Sequence, residues 1–479
     1  MSEEKTSRPK ARLPRGFRDR RAPEIAAERA FIDTIRRVYE SYGFEPLETP
    51  AFEYTDALGK FLPDVDRPNE GVFSLKDDDG QWLSLRYDLT APLARFVAEN
   101  FQALPKPFRR YQVGSVWRNE KPGPGRFREF TQFDADTVGS ASPAADAELL
   151  MMTCDALEAL GLKRGEYVVK MNSRKLLDGV LEAAGIELSR RGIVLRAIDK
   201  LDRLGADGVR ALLGRGREDE SGDFTKGADL TDDQVARILA FSAPTDGGNR
   251  LSAMSALVTD SKIGEEGVAN LEEIVRIVGD RSGISFDPGI VRGLDYYTGA
   301  VFEAQLTFPV TNEAGETIVF GSVAGGGRYD DLIARFTGQQ VPATGISIGV
   351  SRLMNALRDR AISPISPLVV VLALDAVESS FAVAGELRRA DIRAETYVGT
   401  RKFGDQLKYA DKRGAAIAVI EGSDERANGK VTLKDLALGS ELAKSIENRA
   451  AWVANRAAQK TVDRTHLVAE VRAMLAGIG

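Results

Sequence analysis

The most constraining feature of this sequence is a pair of alternating segments within residues 109–136. Tyr111 and Val113 alternate with other residues in the first segment, as Phe133 and Ala135 do in the second. Side chains two apart share a face of a strand, so the pattern predicts two β-strands with one largely apolar face. Lys-Pro-Gly-Pro-Gly-Arg between them cannot continue a strand and predicts a loop. The other face carries Arg118, Glu120, Gln132, Asp134 and Asp136.

Two interpretations of this polar face remain open from the pattern alone. It could simply face water, as one face of many antiparallel hairpins does. It could also bind a ligand, because a cationic cluster surrounds the turn although the whole chain has a net charge of -6. Such a cluster indicates a phosphate-bearing partner. Its members are Arg109, Arg110, Arg118, Lys121, Arg126 and Arg128.

The chain has 479 residues, one cysteine and one histidine. This excludes an intramolecular disulfide framework and a Cys/His zinc site, and no metal site is predicted. Catalysis by a Ser-His-Asp or Cys-His arrangement would require His466, whose segment has the pattern of an ordinary surface helix. The chemistry is therefore expected to use Arg, Asp, Glu, Tyr, Gln and Thr. The net charge argues against wholesale binding to nucleic acid but allows local patches.

The N-terminal segment lacks the apolar core of a signal peptide. No run of about 18 apolar residues occurs, so no membrane span is predicted. A cytoplasmic location is expected.

A second motif, Asp88-Leu89-Thr90, follows a predicted hairpin and opens a helix that has Pro92 in its first turn. Thr90 is a candidate helix N-cap, and Asp88 a candidate acid that complements the helix dipole. Asp88 could also bind a cationic group of a substrate, and the two roles are compatible.

The segment 172–286 differs from its surroundings. Its pattern is helix-rich, and residues 215–235 include an acidic stretch with few apolar side chains. This predicts a helical insertion with a mobile loop, outside the sheet.

Strand patterns return after residue 286. A turn between Gly293 and Gly299 carries Arg292, Asp295 and paired tyrosines, which favours a pocket wall. The glycine run in residues 324–331 matches neither a P-loop nor GxGxxG, and predicts a turn that allows close approach. A last strand leads into a helix with Arg352 in its first turn.

The patterns together predict an α+β catalytic domain with an antiparallel sheet, a helical insertion and a C-terminal α/β domain. We place the catalytic domain at 1–171 and 287–360, the insertion at 172–286, a linker at 361–367 and the C-terminal domain at 368–479.

These motifs resemble the class II aminoacyl-tRNA synthetases, and specifically the histidyl-tRNA synthetase family. The helix running into Gly43-Phe44-Glu45 resembles the first class motif, associated with the dimer interface. The hairpin resembles the second class motif, and residues 345–352 the third. The narrower assignment depends on Arg292-Gly293-Leu294-Asp295-Tyr296-Tyr297, supported by the Asp88 motif and by Gly326-Gly327-Arg328-Tyr329-Asp330.

The resemblance implies a homodimer that joins L-histidine to tRNA(His) through histidyl-adenylate, with ATP as co-substrate and Mg²⁺ expected. The insertion would help to hold tRNA, and the C-terminal domain would bind the anticodon.

The resemblance also implies roles for individual residues. Arg118 would hold the α-phosphate with Glu120 nearby on the nucleotide, Arg352 the γ-phosphate, and Arg292 the substrate carboxylate and α-phosphate. These three arginines are the expected catalytic cations. The expected histidine-binding set is Asp88, Leu89, Thr90, Arg118, Gln132, Asp136, Arg292, Tyr296 and Tyr297, with the two tyrosines against the imidazole.

Two departures from the family pattern matter. Residues 121–125 are rich in glycine and proline where many relatives have polar side chains near the acceptor end of tRNA, and residues 447–461 form a longer segment than expected.

Three other functions are alternatives to that of the synthetase: a histidine-binding regulatory paralogue of histidine biosynthesis, another class II synthetase, and a tRNA-binding protein without catalysis. The intact signature arginine, the C-terminal domain and the RGLDYY-type motif argue against them.

Overall fold

The computed structural model describes residues 9–58, 71–122, 127–198, 200–218, 224–242, 250–281, 283–290, 297–311, 317–319, 321–357, 366–436, 438 and 458–477. The chain divides into two compact units, Met1–Ile362 and Ser363–Gly479. Each unit has its own buried hydrophobic clusters. In the described part of the chain, no helix is long and apolar enough to cross a membrane.

The strands of the first unit are β1 (Glu45–Pro46), β2 (Phe52–Tyr54), β3 (Ser74–Lys76), β4 (Trp82–Leu85), β5 (Phe108–Trp117), β6 (Glu129–Val138), β7 (Tyr167–Ser173), β8 (Gly216–Glu218), β9 (Phe224–Lys226), β10 (Ile284–Phe286), β11 (Ala300–Leu306), β12 (Pro309–Thr311), β13 (Thr317–Val319), β14 (Ser322–Arg328) and β15 (Ala343–Gly349). Its helices are α1 (Ala22–Ser41), α2 (Thr55–Leu58), α3 (Thr90–Asn100), α4 (Pro143–Ala159), α5 (Arg174–Ala183), α6 (Leu188–Ile198), α7 (Leu201–Leu213), α8 (Asp232–Ser242), α9 (Arg250–Leu257), α10 (Lys262–Val278), α11 (Ala334–Thr337) and α12 (Val350–Ala356).

An eight-stranded sheet organises the first unit, in the order β1-β5-β6-β15-β14-β11-β7-β10. The six inner strands pair with one another in antiparallel fashion. Each of the two edge strands, β1 and β10, pairs in parallel with its inner neighbour. This confirms the predicted antiparallel catalytic sheet. A separate three-stranded sheet, in the order β2-β4-β3, contains the hairpin that was predicted to precede the Asp88 motif.

The predicted hairpin is confirmed as β5 and β6, with Gln112 opposite Asp134. Its apolar face packs on α1, where the Tyr39 ring lies 5.0 Å from the Phe133 ring, centre to centre. Tyr39 and Phe133 are both fully buried. Burial of this face orients the alternate, polar residues to the other side of the sheet.

The glycine run predicted as a turn is instead strand β14, in the middle of the sheet. The prediction was wrong because glycines contribute no side chains to an alternating pattern. A run of small residues therefore hides the period of two by which a strand is recognised.

The predicted insertion contains the helices from α5 to α10. Asn172 and Ser173 finish β7, and β10 pairs in parallel with β7 inside the main sheet. The acidic stretch predicted as a mobile loop contains the short antiparallel pair of β8 and β9.

The second unit is an α/β domain with a five-stranded sheet. Its elements are β16 (Leu368–Val371), α13 (Val377–Arg389), β17 (Ala394–Thr396), α14 (Phe403–Lys412), β18 (Ala415–Ile420), α15 (Ser423–Ala427), β19 (Lys430–Asp435), β20 (Gln459–Asp463), a 3₁₀ turn (Arg464–His466) and α16 (Leu467–Ala476). The edge strand β20 was not predicted from the sequence. Gln-Lys-Thr-Val-Asp carries one apolar side chain and gives no alternating signal.

Candidate active site

A pocket lies over strands β6, β14 and β15, beside the start of α3. Strand pairing brings these segments together although they are far apart in sequence. The pocket is lined by Thr90, Asp134, Asp136, Tyr297, Gly325, Gly326, Tyr329, Gly345, Ile346 and Ser347.

Two carboxylates, Asp134 and Asp136, form the acidic part of the pocket. They share one face of β6, and each residue is only 2% exposed. On the adjacent strand, the fully buried Arg110 lies opposite Asp136, and its Nη2 is 2.8 Å from Asp136 Oδ2. Among the described residues, Asp134 Oδ1 has no hydrogen-bond partner. The two acids therefore share one buried cation.

Burial raises the pKa of both acids. It raises the pKa of Asp134 to about 7; Arg110 opposes the shift and Asp136 adds to it. Burial also raises the pKa of Asp136, against the opposing effects of Arg110 and the Tyr329 hydroxyl. Near neutral pH a substantial fraction of the molecules therefore carry a protonated Asp134 when no ligand is bound.

Asp88 stands at the start of α3 and is half-buried. Its Oδ1 accepts hydrogen bonds from the backbone N–H groups of Thr90, at 3.1 Å, and Ala91, at 2.9 Å. The prediction that Thr90 is the N-cap is therefore wrong: Thr90 is the first helical residue, and Asp88 satisfies the exposed N–H groups. Burial raises the pKa of Asp88, while its bond with Ala91 and the charge of Arg118 lower it.

Gln132 is tied to the neighbouring strand. Its Nε2 donates to Ser347 Oγ at 2.8 Å, and Ser347 faces Asp134 across the β6–β15 pair. Ser347 in turn hydrogen-bonds Asp134, which lowers the pKa of that carboxyl. Gln132 and Asp134 are thus linked through one hydroxyl.

Two glycines let the backbone approach the acids closely. A Cβ added at Gly345 would lie 1.9 Å from Asp136 Oδ1, and one at Gly326 would lie 2.1 Å from the carbonyl oxygen of Gly345. Both distances are too short for real atoms. The close approach expected of the glycine run therefore occurs, but between strands.

Two tyrosines complete the wall. The Tyr329 hydroxyl donates to Asp136 Oδ1. Tyr297 lines the pocket, and burial, with Asp134 and Asp136 nearby, raises its pKa. The Tyr297 phenol therefore keeps its proton at neutral pH.

Arg118 lies just beyond the end of β5. Its Nε donates to the backbone oxygen of Tyr87 at 3.3 Å, and its guanidinium carbon lies 5.1 Å from the ring centre of Phe130. Its positive charge lowers the pKa of the nearby Asp88. These contacts place Arg118 on the Asp88 side of the site.

The remaining predicted residues are not all brought to the pocket. Glu120 and Arg352 are exposed and do not line it, although Arg352 lies in the first turn of α12, which packs against β6. Leu89 is buried, and its backbone oxygen accepts from Arg110 Nη2 at 3.0 Å. Arg292 and Tyr296 lie outside the described residues.

Asp134, Ser347 and Tyr329 were given no role in the predicted site. The alternation with Gln132 and Asp136 placed Asp134 on the polar face of the hairpin, and this was enough to make it a candidate. Ser347 and Tyr329 carried no comparable signal, since only the register of β15 and the end of β14 bring them to the acids.

The antiparallel sheet with its buried acidic pocket, joined to a separate α/β unit, is the architecture of a class II aminoacyl-tRNA synthetase. A family model described as histidyl-tRNA synthetase matches residues 16–353, and one described as an anticodon binding domain matches residues 366–473. The chain belongs to the histidyl-tRNA synthetase family, which confirms the resemblance predicted from its motifs.

Named relatives support this assignment over nearly the whole length. The chain is 57% identical to a histidine–tRNA ligase of Rhizobium meliloti, with 99% of this chain and 97% of the relative covered. It is 56% identical to one of Rhizobium leguminosarum bv. trifolii, with the same coverage. Among solved structures, histidyl-tRNA synthetase from Nostoc sp. PCC 7120 aligns with a TM-score of 0.72 at 30% identity, covering 97% of this chain and 99% of that one.

Proposed function

We propose that this protein activates L-histidine with ATP to form histidyl-adenylate and transfers the histidyl group to the 3′ end of tRNA(His). The observation that carries the proposal is the buried acidic pocket, found in a chain 57% identical to a histidine–tRNA ligase. An amino acid presents an ammonium group and, in histidine, ring N–H donors, which such acids can bind. The regulatory alternative is not favoured, because the relatives that match nearly full length are ligases.

The residues at the start of α3 and along β6 would hold the amino acid. Asp88, Thr90, Gln132 and Asp136 are proposed to surround the α-amino group, and Tyr296 and Tyr297 the imidazole. Three of these residues, Thr90, Asp136 and Tyr297, line one pocket, which supports the assignment. Leu89 would contribute through its backbone, which already anchors Arg110.

Activation needs positioning and charge stabilisation more than proton transfer. A carboxylate oxygen of histidine attacks the α-phosphorus of ATP, the bond to the bridging oxygen breaks, and pyrophosphate leaves with the electron pair. The carboxylate is already ionised and needs no general base, which suits a chain with a single histidine. Arginines suit this reaction because their planar fork binds phosphate and carboxylate oxygens.

Arg118 is proposed to bind the α-phosphate, Glu120 the nucleotide, and Arg352 the γ-phosphate. Arg292 is proposed to bridge the histidine carboxylate and the α-phosphate. The position of Arg118 beside Asp88 supports a phosphate site next to the amino acid.

Mg²⁺ is expected to arrive with ATP, where it would neutralise phosphate charge. Magnesium sites of this kind use few protein carboxylates and several phosphate oxygens. Within the described ranges, no three His, Cys, Asp or Glu side chains group as a metal site, and the proposed steps use none.

The proposed domain limits are those given from the sequence, with the catalytic domain at 1–171 and 287–360, the insertion at 172–286, the linker at 361–367 and the anticodon-binding domain at 368–479. The match to an anticodon binding domain over residues 366–473 supports the last of them. The protein is proposed to work in the cytoplasm.

The three-stranded sheet supports the proposed homodimer, because the polar centre of one face is buried, whereas the other face carries exposed apolar side chains. On the buried face, Ser84 is 0% and Glu53 is 7% exposed. On the other face, Phe52, Tyr54 and Leu75 are 42%, 54% and 46% exposed. We propose that a second copy covers this apolar face, which begins directly after the motif that resembles the dimerisation motif of the class.

The decisive experiment is ATP–pyrophosphate exchange with each amino acid in turn, using the wild type and Arg292→Ala. We expect exchange with histidine alone and its near loss in the variant. Arg276→Ala is the matched control, because Arg276 is an exposed arginine on α10 whose partner Glu273 lies 3.8 Å away. Exchange with another amino acid would refute the substrate, and histidine binding without any exchange would favour the regulatory alternative.

A further inference from the structure

Three acids stand near the pocket, and two of them are already engaged. Asp88 Oδ1 accepts two backbone N–H groups. Asp136 is paired with Arg110 through one oxygen and accepts from Tyr329 through the other. Asp134 differs: it lines the same pocket, is 2% exposed, and its Oδ1 has no partner within the described ranges. Buried carboxylate oxygens are normally hydrogen-bonded, so this one calls for a donor.

The charges in the pocket also indicate that Asp134 needs a donor or a cation. Asp134 and Asp136 face one guanidinium, that of Arg110, so full ionisation leaves an excess negative charge in a buried site. Such a charge is costly unless it is protonated or paired. A ligand that brings an N–H donor, or a positive charge, removes the cost.

We propose that Asp134 accepts a hydrogen bond from a ring N–H of the bound amino acid, and is a specificity-determining residue for histidine. This rests on the proposed function. The α-amino group is already provided for by the proposed set around Asp88, at the start of α3. Asp134 lines the same pocket as Tyr297, which is proposed to lie against the imidazole, and its charge acts on the Tyr297 phenol.

The arrangement also orients the acceptor. Ser347 hydrogen-bonds Asp134 and itself receives the Gln132 amide at 2.8 Å. One side of the Asp134 carboxyl is therefore held by the protein, which leaves Oδ1 for the ligand. A ring N–H on a fixed carboxylate selects one tautomer of a neutral imidazole, and it accepts an imidazolium equally well.

The test compares the wild type with Asp134→Asn in histidine-dependent ATP–pyrophosphate exchange. We expect KM for histidine to rise about tenfold, because an amide oxygen in place of the carboxylate turns a charge-assisted hydrogen bond into a neutral one of about half the strength, while KM for ATP stays unchanged. Asp155→Asn is the matched control. Asp155 bonds Tyr42 and Arg281 outside the pocket, so its loss can affect stability but not KM for histidine.

A second measurement separates ring contact from a structural role. β-(4-Thiazolyl)alanine has a similar ring without an N–H group, and its Ki is measured as a competitor of histidine. The wild type should prefer histidine strongly, and Asp134→Asn should lose about tenfold of that preference, since the charged acceptor that discriminates between the two rings is replaced by a neutral one.

The outcomes are distinct. No exchange with histidine by the wild type would refute the proposed function itself. Exchange by the wild type, with an unchanged KM in Asp134→Asn or an undiminished preference over the analogue, would refute the role of Asp134 alone. If the analogue bound neither protein, the variant would have kept the preference for histidine over the analogue, and this result would also refute the role of Asp134.

Discussion

Arg110 and Asp136 form a buried ion pair at facing positions of β5 and β6, with 2.8 Å between Nη2 and Oδ2. Neither residue is more than 2% exposed. The same guanidinium nitrogen also donates to the backbone oxygen of Leu89, at 3.0 Å. Arg110 therefore joins the acidic strand of the pocket to the Asp88 motif at the start of α3.

Replacing Arg110 with methionine should destabilise the protein by about 3–5 kcal/mol, because it leaves buried acids without their counter-cation. The change is measured as the free energy of unfolding in urea. Arg36→Gln, in an exposed pair with Glu40 on α1, is the control and should leave the midpoint nearly unchanged. Equal effects of the two changes would show that burial of the pair does not matter.

Gly345→Ala should impair both folding and histidine use. The added Cβ would meet Asp136 Oδ1 at 1.9 Å, so the carboxylate or the strand must move. Overpacking of this kind costs about 1–3 kcal/mol, and displacement of Asp136 should raise KM for histidine. Gly404→Ala, in α14 with no atom within 4 Å of its new Cβ, should be neutral or stabilise by about 0.5–1 kcal/mol. A Gly345→Ala protein with unchanged stability and KM would contradict the close packing.

Only part of this fold and of this site could be predicted from the sequence. The alternation in residues 109–136 was enough to predict the β5–β6 hairpin, because burial of Tyr111 and Phe133 fixes which face of each strand is apolar. It did not predict that Gln132 reaches Ser347, or that Gly345 makes room for Asp136. Both depend on the pairing of β6 with β15, which is distant in the chain and carries no local signal. Asp88 was predicted to complement the helix dipole and Thr90 to cap the helix. Only the backbone geometry shows that Asp88 itself accepts from the first N–H groups.

The stability of Asp134→Asn relative to the wild type should increase with pH. The folded-state pKa of Asp134 is raised to about 7, above the unfolded value of about 3.9, so the folded protein binds the extra proton. Its carboxyl thus costs nothing below about pH 4 and destabilises increasingly until about pH 7, by at most about 4 kcal/mol. Arg110, Asp136, Asp88 and Tyr297 also face this group and act in both proteins, so the difference in unfolding free energy between the two proteins reports the contribution of the Asp134 charge.

Urea unfolding of both proteins between about pH 4 and 8 measures this difference. Ser347→Ala is the informative companion variant, because loss of its hydrogen bond to Asp134 removes an interaction that lowers the pKa. In that background the rise should extend to higher pH. A difference between wild type and Asp134→Asn that is flat across the range would contradict the raised pKa.

Tyr54→Lys should convert the proposed dimer into a monomer. Tyr54 is 54% exposed on the apolar face of the three-stranded sheet, and a charge there would be buried without a partner in a dimer. Sedimentation equilibrium gives the mass, and thermal unfolding checks that the variant is folded. Lys76→Glu changes a charge on the opposite face of the same sheet and should leave the mass unaltered. A wild type that is monomeric at all concentrations would refute the proposed interface.

A chain that ends at Ile362 should keep histidine-dependent pyrophosphate exchange and lose most tRNA charging. The first unit contains the pocket and closes its own buried clusters. The second unit has separate clusters and matches the anticodon binding domain, so its removal should weaken tRNA binding without changing the amino acid pocket. Exchange and charging are measured on the same preparation, and residues 363–479 expressed alone should show a cooperative thermal transition. Loss of exchange together with charging, from a truncated chain that is still folded, would show that the pocket needs the second unit.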